Sequence, residues 1–377
     1  MKKKIAIIGA GIAGLTLANL IQKNSNFDFM LYEKEDKLSL AEGFGIQLAP
    51  NSISILNQIG FKKIQPENIA QPKKLNFYTI ENDKICDLNL SQFNTEEAKY
   101  TTLRRSILIK FLKDEIYTHQ ICFGKKINKI SEVNEKLSIN FNDNTNDLVD
   151  YMVAADGIFT NTRSFLEASK NKPKFKNAIA IRTILQSKSG LNIDENEINL
   201  FMASNAHFVI YPINKKNELN LVCTLREKNF NPTNMRLILS KKLFSQNENL
   251  KDLFKEDCRS WPLYASQKIN ISSNKKVFYL GDAFYAFLPT LAQGASQSIE
   301  GAFELFNLLK ENNKDVHGLY YKRRSERVKI IKKRSDFNFF AFHINSLIFK
   351  FIRKVILKSL VKNKKFISNY LGEVYKN

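Results

Sequence analysis

The chain has 377 residues, 44% of them hydrophobic, so it can bury a substantial core and does not have the composition of a disordered protein. Its 58 Lys and Arg residues exceed its 37 Asp and Glu residues, which gives a formal net charge of +21. Because the excess is mostly lysine scattered among asparagine and isoleucine, we attribute it to general composition and expect no nucleic-acid partner.

The cysteines and histidines indicate neither a disulfide framework nor a metal site. No two cysteines have C-x-x-C spacing, so we expect reduced thiols and a cytoplasmic protein. The four histidines are too scattered to predict metal ligation. No stretch reaches the roughly 18 uninterrupted apolar residues that a membrane-spanning helix needs, and residues 337–351 come closest.

The amino-terminal part alternates in the way that an α/β protein does. An apolar strand at 5–8 is followed by a glycine loop, an amphipathic helix and a second strand at 27–32, which together form a βαβ unit. Further along, the pattern predicts a helix over 103–116 and two strands at 136–141 and 148–154.

The middle of the chain changes to strand-like runs separated by polar turns. These runs lie at 178–185, 198–202, 207–212 and 219–225 and predict a mostly antiparallel sheet. A strand at 276–280 and a helix over 295–309 then resume the α/β pattern, and the chain from Tyr320 is expected to be helical.

The predicted fold class is α/β, with a discontinuous Rossmann-like nucleotide-binding domain, an inserted, mostly antiparallel substrate domain and C-terminal helices. The predicted bounds are 1–72, 100–172 and 269–335 for the nucleotide-binding domain, 73–99 and 173–268 for the substrate domain, and 336–377 for the helical tail.

The glycine loop after the first strand has the spacing of a dinucleotide-binding site. Its residues are Gly9, Gly11, Ile12, Ala13 and Gly14. Glycines at these positions allow a tight turn, a close approach of the backbone to a diphosphate and close packing of helix on strand. Glu33 ends the second strand, from where a carboxylate reaches a ribose diol. On this motif alone, FAD and NAD remain equally possible.

Two motifs farther along the chain distinguish these cofactors. They are A-D-G-I followed by T-R at residues 155–163, and Y-L-G-D-A followed by P and by L-A-Q-G-A at residues 279–295. They resemble the G-A-D-G and G-D-A-A-H signatures of the FAD-dependent aromatic hydroxylases, the family with the para-hydroxybenzoate hydroxylase fold, and most of all its salicylate hydroxylase-like branch. The resemblance covers most of the chain and implies FAD as the cofactor.

The resemblance also implies particular cofactor contacts. Its matching positions are Arg105, Asp156, Gly281, Asp282, Gly294 and Ala295. A carboxylate at Asp282 suits hydroxyl groups of the cofactor, and a helix that begins at Gly294 would direct its positive end at the pyrimidine edge of the flavin. The chain departs from the family with Ala154 for Gly, Phe284-Tyr285 for Ala-His and Gly301 for Asp.

The chemistry implied by the resemblance is monooxygenation. NADH or NADPH reduces FAD, oxygen forms a flavin C4a-hydroperoxide, and one oxygen atom passes to an aromatic ring. No catalytic side chain is assigned, although Pro289 and Tyr285 are candidates near the flavin ring. Gln47, His207, Tyr211 and Pro289 are candidate substrate contacts, with packing as the alternative for His207. The chain has no second glycine motif and no redox cysteine pair, which argues against a disulfide reductase.

Two functional alternatives stay open at this point. The protein could hydroxylate a prenylated phenol in quinone biosynthesis, or bind flavin without turnover. The basic and apolar tail is typical of an interfacial helix in weak contact with an anionic membrane, at the inner membrane face. A terminal helix that packs its apolar side on the protein and leaves its lysines in water has the same pattern, and this second arrangement is the one we expect. The oligomeric state is open.

Overall fold

The computed structural model describes residues 2–24, 27–38, 40, 43–167, 172–186, 190–254, 257–311 and 313–375. The strands, in chain order, are β1 (Lys4–Ile8), β2 (Asp28–Tyr32), β3 (Gly45–Leu48), β4 (Ile69–Ala70), β5 (Lys74–Thr79), β6 (Lys84–Asn89), β7 (Thr101–Arg104), β8 (Ile121–Cys122), β9 (Ile127–Val133), β10 (Lys136–Phe141), β11 (Asn146–Val149), β12 (Tyr151–Ala154), β13 (Lys174–Gln186), β14 (Ile198–Ala203), β15 (Ala206–Pro212), β16 (Glu218–Arg226), β17 (Arg259–Ala265) and β18 (Val277–Tyr279). The helices are α1 (Ile12–Asn24), α2 (Pro50–Gln58), α3 (Arg105–Asp114), α4 (Thr162–Leu166), α5 (Met235–Leu239), α6 (Gly294–Lys310), α7 (Val316–Phe342), α8 (Leu347–Leu360), α9 (Lys364–Ile367) and α10 (Glu373–Tyr375).

A parallel sheet with the strand order β18-β12-β1-β2-β8 forms the centre of the first layer. Its middle strand β1 is buried on both faces, with Ile5 and Ile7 fully enclosed, which explains its continuous apolar sequence. Helix α1 packs against α3 and α6 beside this sheet. The Rossmann-like part of the predicted fold class is confirmed.

A seven-stranded sheet with the order β17-β13-β16-β15-β14-β5-β6 forms the second layer. Its pairs are antiparallel except for β14 with β5. Alternate residues face opposite sides, so that Phe201 packs with α5 while Leu200 and Met202 pack with the C-terminal helices. The mostly antiparallel second sheet is confirmed, and it takes strands from both 73–99 and 173–268.

Two boundaries differ from the sequence prediction. The helix predicted to begin at Leu103 begins at Arg105, because Thr101–Arg104 forms strand β7 and pairs antiparallel with β3. The predicted strand at 148–154 is two strands in different sheets, separated at Asp150. The backbone N–H of Lys4 donates to the Asp150 carboxylate at 2.7 Å, and this contact marks the point where the chain joins the parallel sheet.

The C-terminal helices lie against the second sheet. Helix α7 is longer than predicted, since it begins at Val316, and the proposed domain border at residue 335 falls inside it. Helix α8 has no buried residue, so the expectation that it packs its apolar side on the protein is wrong for this helix. Within the described ranges, every helix is too short or too polar to cross a membrane.

Candidate functional site

The glycine loop connects β1 to α1 and lies against the end of β12. Gly9 has φ +105°, and a Cβ atom there would lie 2.6 Å from the carbonyl oxygen of Ala155. A Cβ atom on Gly14 would lie 2.1 Å from the carbonyl oxygen of Gly9. Because both collisions are with backbone atoms, neither position accepts a side chain. By contrast, apart from its two chain neighbours, no described residue has an atom within 4 Å of a Cβ on Gly11, so the loop is open at this residue.

Glu33 lies beside this loop at the end of β2. The backbone N–H of Ala10 donates to its Oε2 atom at 2.8 Å, and that of Glu35 donates to Oε1 at 3.1 Å. These bonds hold the half-buried carboxylate next to the loop. The acid that the sequence places about 20 residues after the loop is thus in direct contact with the loop.

Asp156 follows β12 and adds a second carboxylate. Its Oδ2 atom accepts hydrogen bonds from the backbone N–H and the hydroxyl of Thr162, at 3.2 and 2.8 Å. Its Oδ1 atom is buried and has no hydrogen-bond partner within the described residues. A buried carboxylate oxygen in this state costs free energy unless a donor reaches it. The protein therefore leaves one acceptor of Asp156 unused among the described residues.

The third part of the site is the turn after β18. Gly281 has φ +62°, and a Cβ atom there would lie 2.9 Å from Ala13 and Ser298, so the turn brings α1 and α6 together. Asp282 is exposed to the cleft, yet the surrounding protein atoms raise its pKa to about 6, while the charge of Arg105 lowers it. Helix α6 begins at Gly294, which gives the cleft a helix N-terminus.

A cavity of about 480 Å³ adjoins this third part. It lies between the seven-stranded sheet, the turn before α6 and the C-terminal helices. The residues that the sequence singled out on its wall are Gln47, His207, Tyr211, Asp282, Pro289, Gly294 and Ala295. Tyr285 is not on this wall, because its ring packs on Phe287 at a centroid distance of 5.0 Å and stays 4% exposed. The candidate substrate contacts thus meet in one place.

The polar groups of the cavity include residues that the sequence reasoning missed. The Tyr100 hydroxyl donates to Oε1 of Gln47 at 2.7 Å. The Arg182 guanidinium lies over the ring of Trp261, and its buried Nε has no hydrogen-bond partner among the residues described. The run at 178–185 contains one charged residue, Arg182, and this was a signal that could have identified it, because a cation in a buried strand needs an anionic or polar partner.

His207 belongs to a chain of buried polar groups. Arg226 Nε–H donates to Nδ1 of His343 at 3.3 Å, so the hydrogen of His343 is on Nε2 and donates to Nδ1 of His207 at 2.7 Å. Burial lowers the pKa of both imidazoles, which are therefore neutral near pH 7. The prediction did not pair His207 with His343, because 136 residues separate them.

These observations fit FAD as the bound cofactor. Of the three loop glycines, Gly11 alone has open space at its Cβ position, where a diphosphate needs close approach to the backbone and to the N-terminus of α1. The exposed carboxylate of Asp282 is an acceptor for a hydroxyl group of an extended ligand, and Oδ1 of Asp156 is an acceptor that no described residue uses. Each of the three parts thus offers a group that a dinucleotide uses.

The raised pKa of Asp282 has a measurable consequence for stability. Its ordinary value is 3.8, so between about pH 4 and pH 6 the folded apoprotein holds more protons than the unfolded chain. Stability due to this group therefore falls as the pH rises through that window. We expect Asp282→Asn to unfold at a higher temperature than the wild type at pH 7. We also expect the variant to lack the decrease in stability between pH 4 and pH 6 that this carboxyl causes in the wild type. Thermal denaturation of both apoproteins from pH 4 to pH 7 measures it, and a constant difference between them would contradict the assignment.

Comparisons with known proteins agree with this geometry. The family described as FAD binding domain matches residues 2–335. A 6-hydroxynicotinate 3-monooxygenase of Pseudomonas fluorescens is 24% identical over 363 residues, which covers 89% of this chain and 91% of that protein. A salicylate hydroxylase of Pseudomonas putida is 23% identical over 343 residues, with coverage of 84% and 78%. The solved structure of Klebsiella pneumoniae HpxO with FAD and uric acid superposes with a TM-score of 0.82 at 16% identity, covering 99% and 96% of the chains. The chain therefore belongs to the FAD-dependent monooxygenases of the aromatic hydroxylase family.

Proposed function

We propose that the protein uses NADH or NADPH and oxygen to hydroxylate an aromatic substrate that carries an acidic group, a phenolic or a heteroaromatic acid. The observation that carries this proposal is Arg182, a half-buried cation on the cavity wall whose Nε atom lacks a partner among the described residues. Burial lowers its pKa, which means that the surroundings disfavour its charge. A substrate carboxylate or phenolate would compensate that cost.

Each part of the site has a proposed role. The loop from Gly9 to Gly14 holds the FAD diphosphate, and Glu33 holds a ribose. Arg105, Asp156 and Asp282 contact the cofactor along its length. The start of α6, at Gly294 and Ala295, faces the flavin and stabilises negative charge there.

The cavity would place the substrate. Its walls around Gln47 and Tyr211 offer hydrogen bonds, His207 offers a neutral ring, and Pro289 closes the side next to Asp282. Aliphatic and aromatic residues make up most of the remaining wall and would exclude water. Bound FAD supplies the redox chemistry, in which two electrons from the nicotinamide nucleotide reduce oxygen, one oxygen atom enters the ring and the other leaves as water. The protein contributes binding, orientation and exclusion of water.

The relatives support an acidic substrate. The names of two of them specify 6-hydroxynicotinate and salicylate hydroxylation, and both compounds are aromatic acids. The chain also resembles a 3-amino-4-hydroxybenzoate 2-monooxygenase of Streptomyces platensis, at 25% identity over 362 residues. We therefore place hydroxylated benzoates and nicotinates first in the substrate class.

Oxygen uptake tests the proposal directly. We expect the FAD-loaded protein to consume oxygen and NADH or NADPH at least about tenfold faster with a matching aromatic acid than without substrate. The panel would contain hydroxybenzoates and hydroxynicotinates, each paired with its amide. If no compound in the panel stimulates oxygen uptake and yields a hydroxylated product, the proposed activity is wrong.

Arg182→Met tests the role of the buried cation. Because a charge-assisted hydrogen bond contributes about 1.5–3 kcal/mol, we expect the KM for the acid to rise by roughly tenfold to a hundredfold, with a much smaller change for the matching amide. Arg236→Met is the control, since Arg236 is exposed on α5, on the other side of the sheet. An equal rise for acid and amide would show that Arg182 only supports packing.

The second candidate, hydroxylation of a prenylated phenol, rests on the extent of the apolar wall. The cavity continues along the C-terminal helices past Phe342, Leu357, Leu360 and Val361. Such a wall suits an isoprenoid side chain better than it suits a small acid. The same oxygen assay with a short-chain prenylated hydroxybenzoate and its unprenylated parent distinguishes the two, since only this candidate predicts a preference for the prenylated compound.

A further inference from the structure

Helix α8 presents its apolar side chains to solvent. Leu347, Ile348 and Phe351 are 81%, 71% and 69% exposed, and no residue of the helix is buried. We call the exposed side chains Ile348, Phe349, Phe351, Ile352, Val355 and Ile356 the α8 outer face. A surface helix ordinarily turns its apolar stripe toward the core, so this orientation is the reverse of the usual one.

Specific contacts of basic side chains hold the helix in this orientation. The Lys350 ammonium donates to the hydroxyl of Ser204 at 2.6 Å, and the Arg353 guanidinium donates to the backbone carbonyl of Ala341 at 2.9 Å. Leu357 packs on the same side, against the cluster below the second sheet. Rotating α8 to bury its outer face would break these contacts. The outward orientation therefore belongs to the fold.

The chain segment that contains α8 carries only positive charges. Residues 337–372 contain seven Lys and Arg residues and no Asp or Glu. Four of the lysines, at 358, 362, 364 and 365, are exposed in and just after the helix. Exposed apolar side chains next to exposed lysines are the pattern of a helix that lies in the interface of an anionic bilayer.

We propose that the α8 outer face docks the protein on the surface of a membrane that contains anionic lipids. The helix has 14 residues and would lie in the interface, because about 20 apolar residues are needed to span a bilayer. A second copy of the chain fits the same face less well, because each copy has a formal net charge of +21 and the basic segments would repel each other.

Docking is separate from the hydroxylation proposed above and does not depend on it. The docking face and the cavity are nevertheless close together, because Arg353 and Leu357 of α8 line the cavity from the side opposite to the outer face. A bilayer on the outer face would therefore lie about one helix diameter, roughly 10 Å, from the cavity. An apolar substrate dissolved in the membrane would have a short path to the site.

Vesicle sedimentation of the full-length, FAD-loaded protein tests the proposal. We expect it to sediment with phosphatidylcholine vesicles that contain about one third phosphatidylglycerol at low ionic strength, and hardly at all with pure phosphatidylcholine. Raising the salt to roughly 0.5 M should weaken binding strongly, since the Debye length falls to a few ångströms. If the protein sediments with neither kind of vesicle, the proposal is wrong.

Two charge-matched double variants separate the outer face from general electrostatics. Ile348→Glu with Phe351→Glu alters the outer face, while Leu148→Glu with Leu237→Glu alters apolar residues that are 47% and 53% exposed elsewhere. Both add two negative charges. We expect the first pair to lower the vesicle partition coefficient by more than about tenfold, and the second pair to lower it much less.

Further readouts make each outcome decisive. Equal loss of binding in both variants would show that charge alone attracts the protein, and would overturn docking through the outer face. Concentration-dependent dimerisation of the wild type that is absent in the Ile348→Glu, Phe351→Glu variant would also overturn the proposal, because it would assign the outer face to a second copy of the chain. FAD binding and oxygen uptake without vesicles should be unchanged in both variants, which tells a loss of docking from a loss of the fold or of the proposed activity.

Discussion

Replacement of Gly11 by valine is expected to weaken FAD binding by at least about a hundredfold while leaving the protein folded. The hundredfold corresponds to the loss of two hydrogen bonds from the loop to a charged diphosphate, at about 1.5–3 kcal/mol each. Beyond its two chain neighbours, none of the residues that the structure describes comes within 4 Å of a Cβ on Gly11, so the side chain would occupy the space of the ligand and not that of the protein.

Titration of the apoprotein with FAD, followed by quenching of flavin fluorescence, measures the dissociation constant. The unfolding temperature of the apoprotein should change little, because valine at the start of α1 costs only about 1 kcal/mol. Gly14→Val provides the contrast. Its Cβ would lie 2.1 Å from the carbonyl oxygen of Gly9, so this variant should lose the fold as well as the cofactor. Normal FAD affinity in the Gly11 variant would place the diphosphate elsewhere.

Replacement of Arg324 by methionine is expected to lower the free energy of unfolding by about 3 kcal/mol. Arg324 is 2% exposed and donates to Glu300 at 2.6 Å and to the side-chain oxygen of Gln297 at 2.8 Å. It also lies 3.6 Å from Glu304. Burial alone would raise the pKa of Glu300, and Arg324 with Arg327 holds it below its ordinary value. Without Arg324 the buried negative charge is only partly compensated.

The neighbouring residue supplies the control. Arg323 is 55% exposed in its side chain and lies 3.9 Å from Glu304, so Arg323→Met should cost less than about 0.5 kcal/mol. Urea denaturation of both variants, with the wild type alongside, gives the comparison. If the two variants lost equal stability, the Arg324 cluster would not contribute through its buried charges. Arg324 also lies 3.5 Å from the position of a Cβ on Gly301, so an aspartate at residue 301 would contact Arg324 directly.

The local part of the site was predictable from the sequence because its parts are short motifs. A strand, a glycine loop and an acid that ends the next strand already predict a dinucleotide site. In the structure, the hydrogen bond from Ala10 to Glu33 joins the loop and the acid. The resemblance to the hydroxylases added Asp156 and Asp282, and the comparisons confirm the family and FAD. The roles of the individual residues remain predictions.

The cavity was less predictable, because it depends on contacts between distant segments. His207 looked like an isolated histidine, and its partner His343 lies 136 residues away. Helix periodicity showed that the tail has an apolar side but not which way that side points. The direction of α8 follows from bonds such as that of Lys350 to Ser204, which no local pattern contains. The start of α3 was misplaced for a related reason, since pairing with β3 overrides the helical pattern at Leu103.

The position of β1 has a consequence for how the chain is made. This strand is central in its sheet, and one of its neighbours is β2, while the other is β12, which begins at Tyr151. At about 5–20 residues per second, a ribosome needs roughly 7–30 s after β1 to complete β12. During that time the buried central strand of the sheet has an open edge. The nascent chain would therefore need protection from aggregation most in the first half of its synthesis.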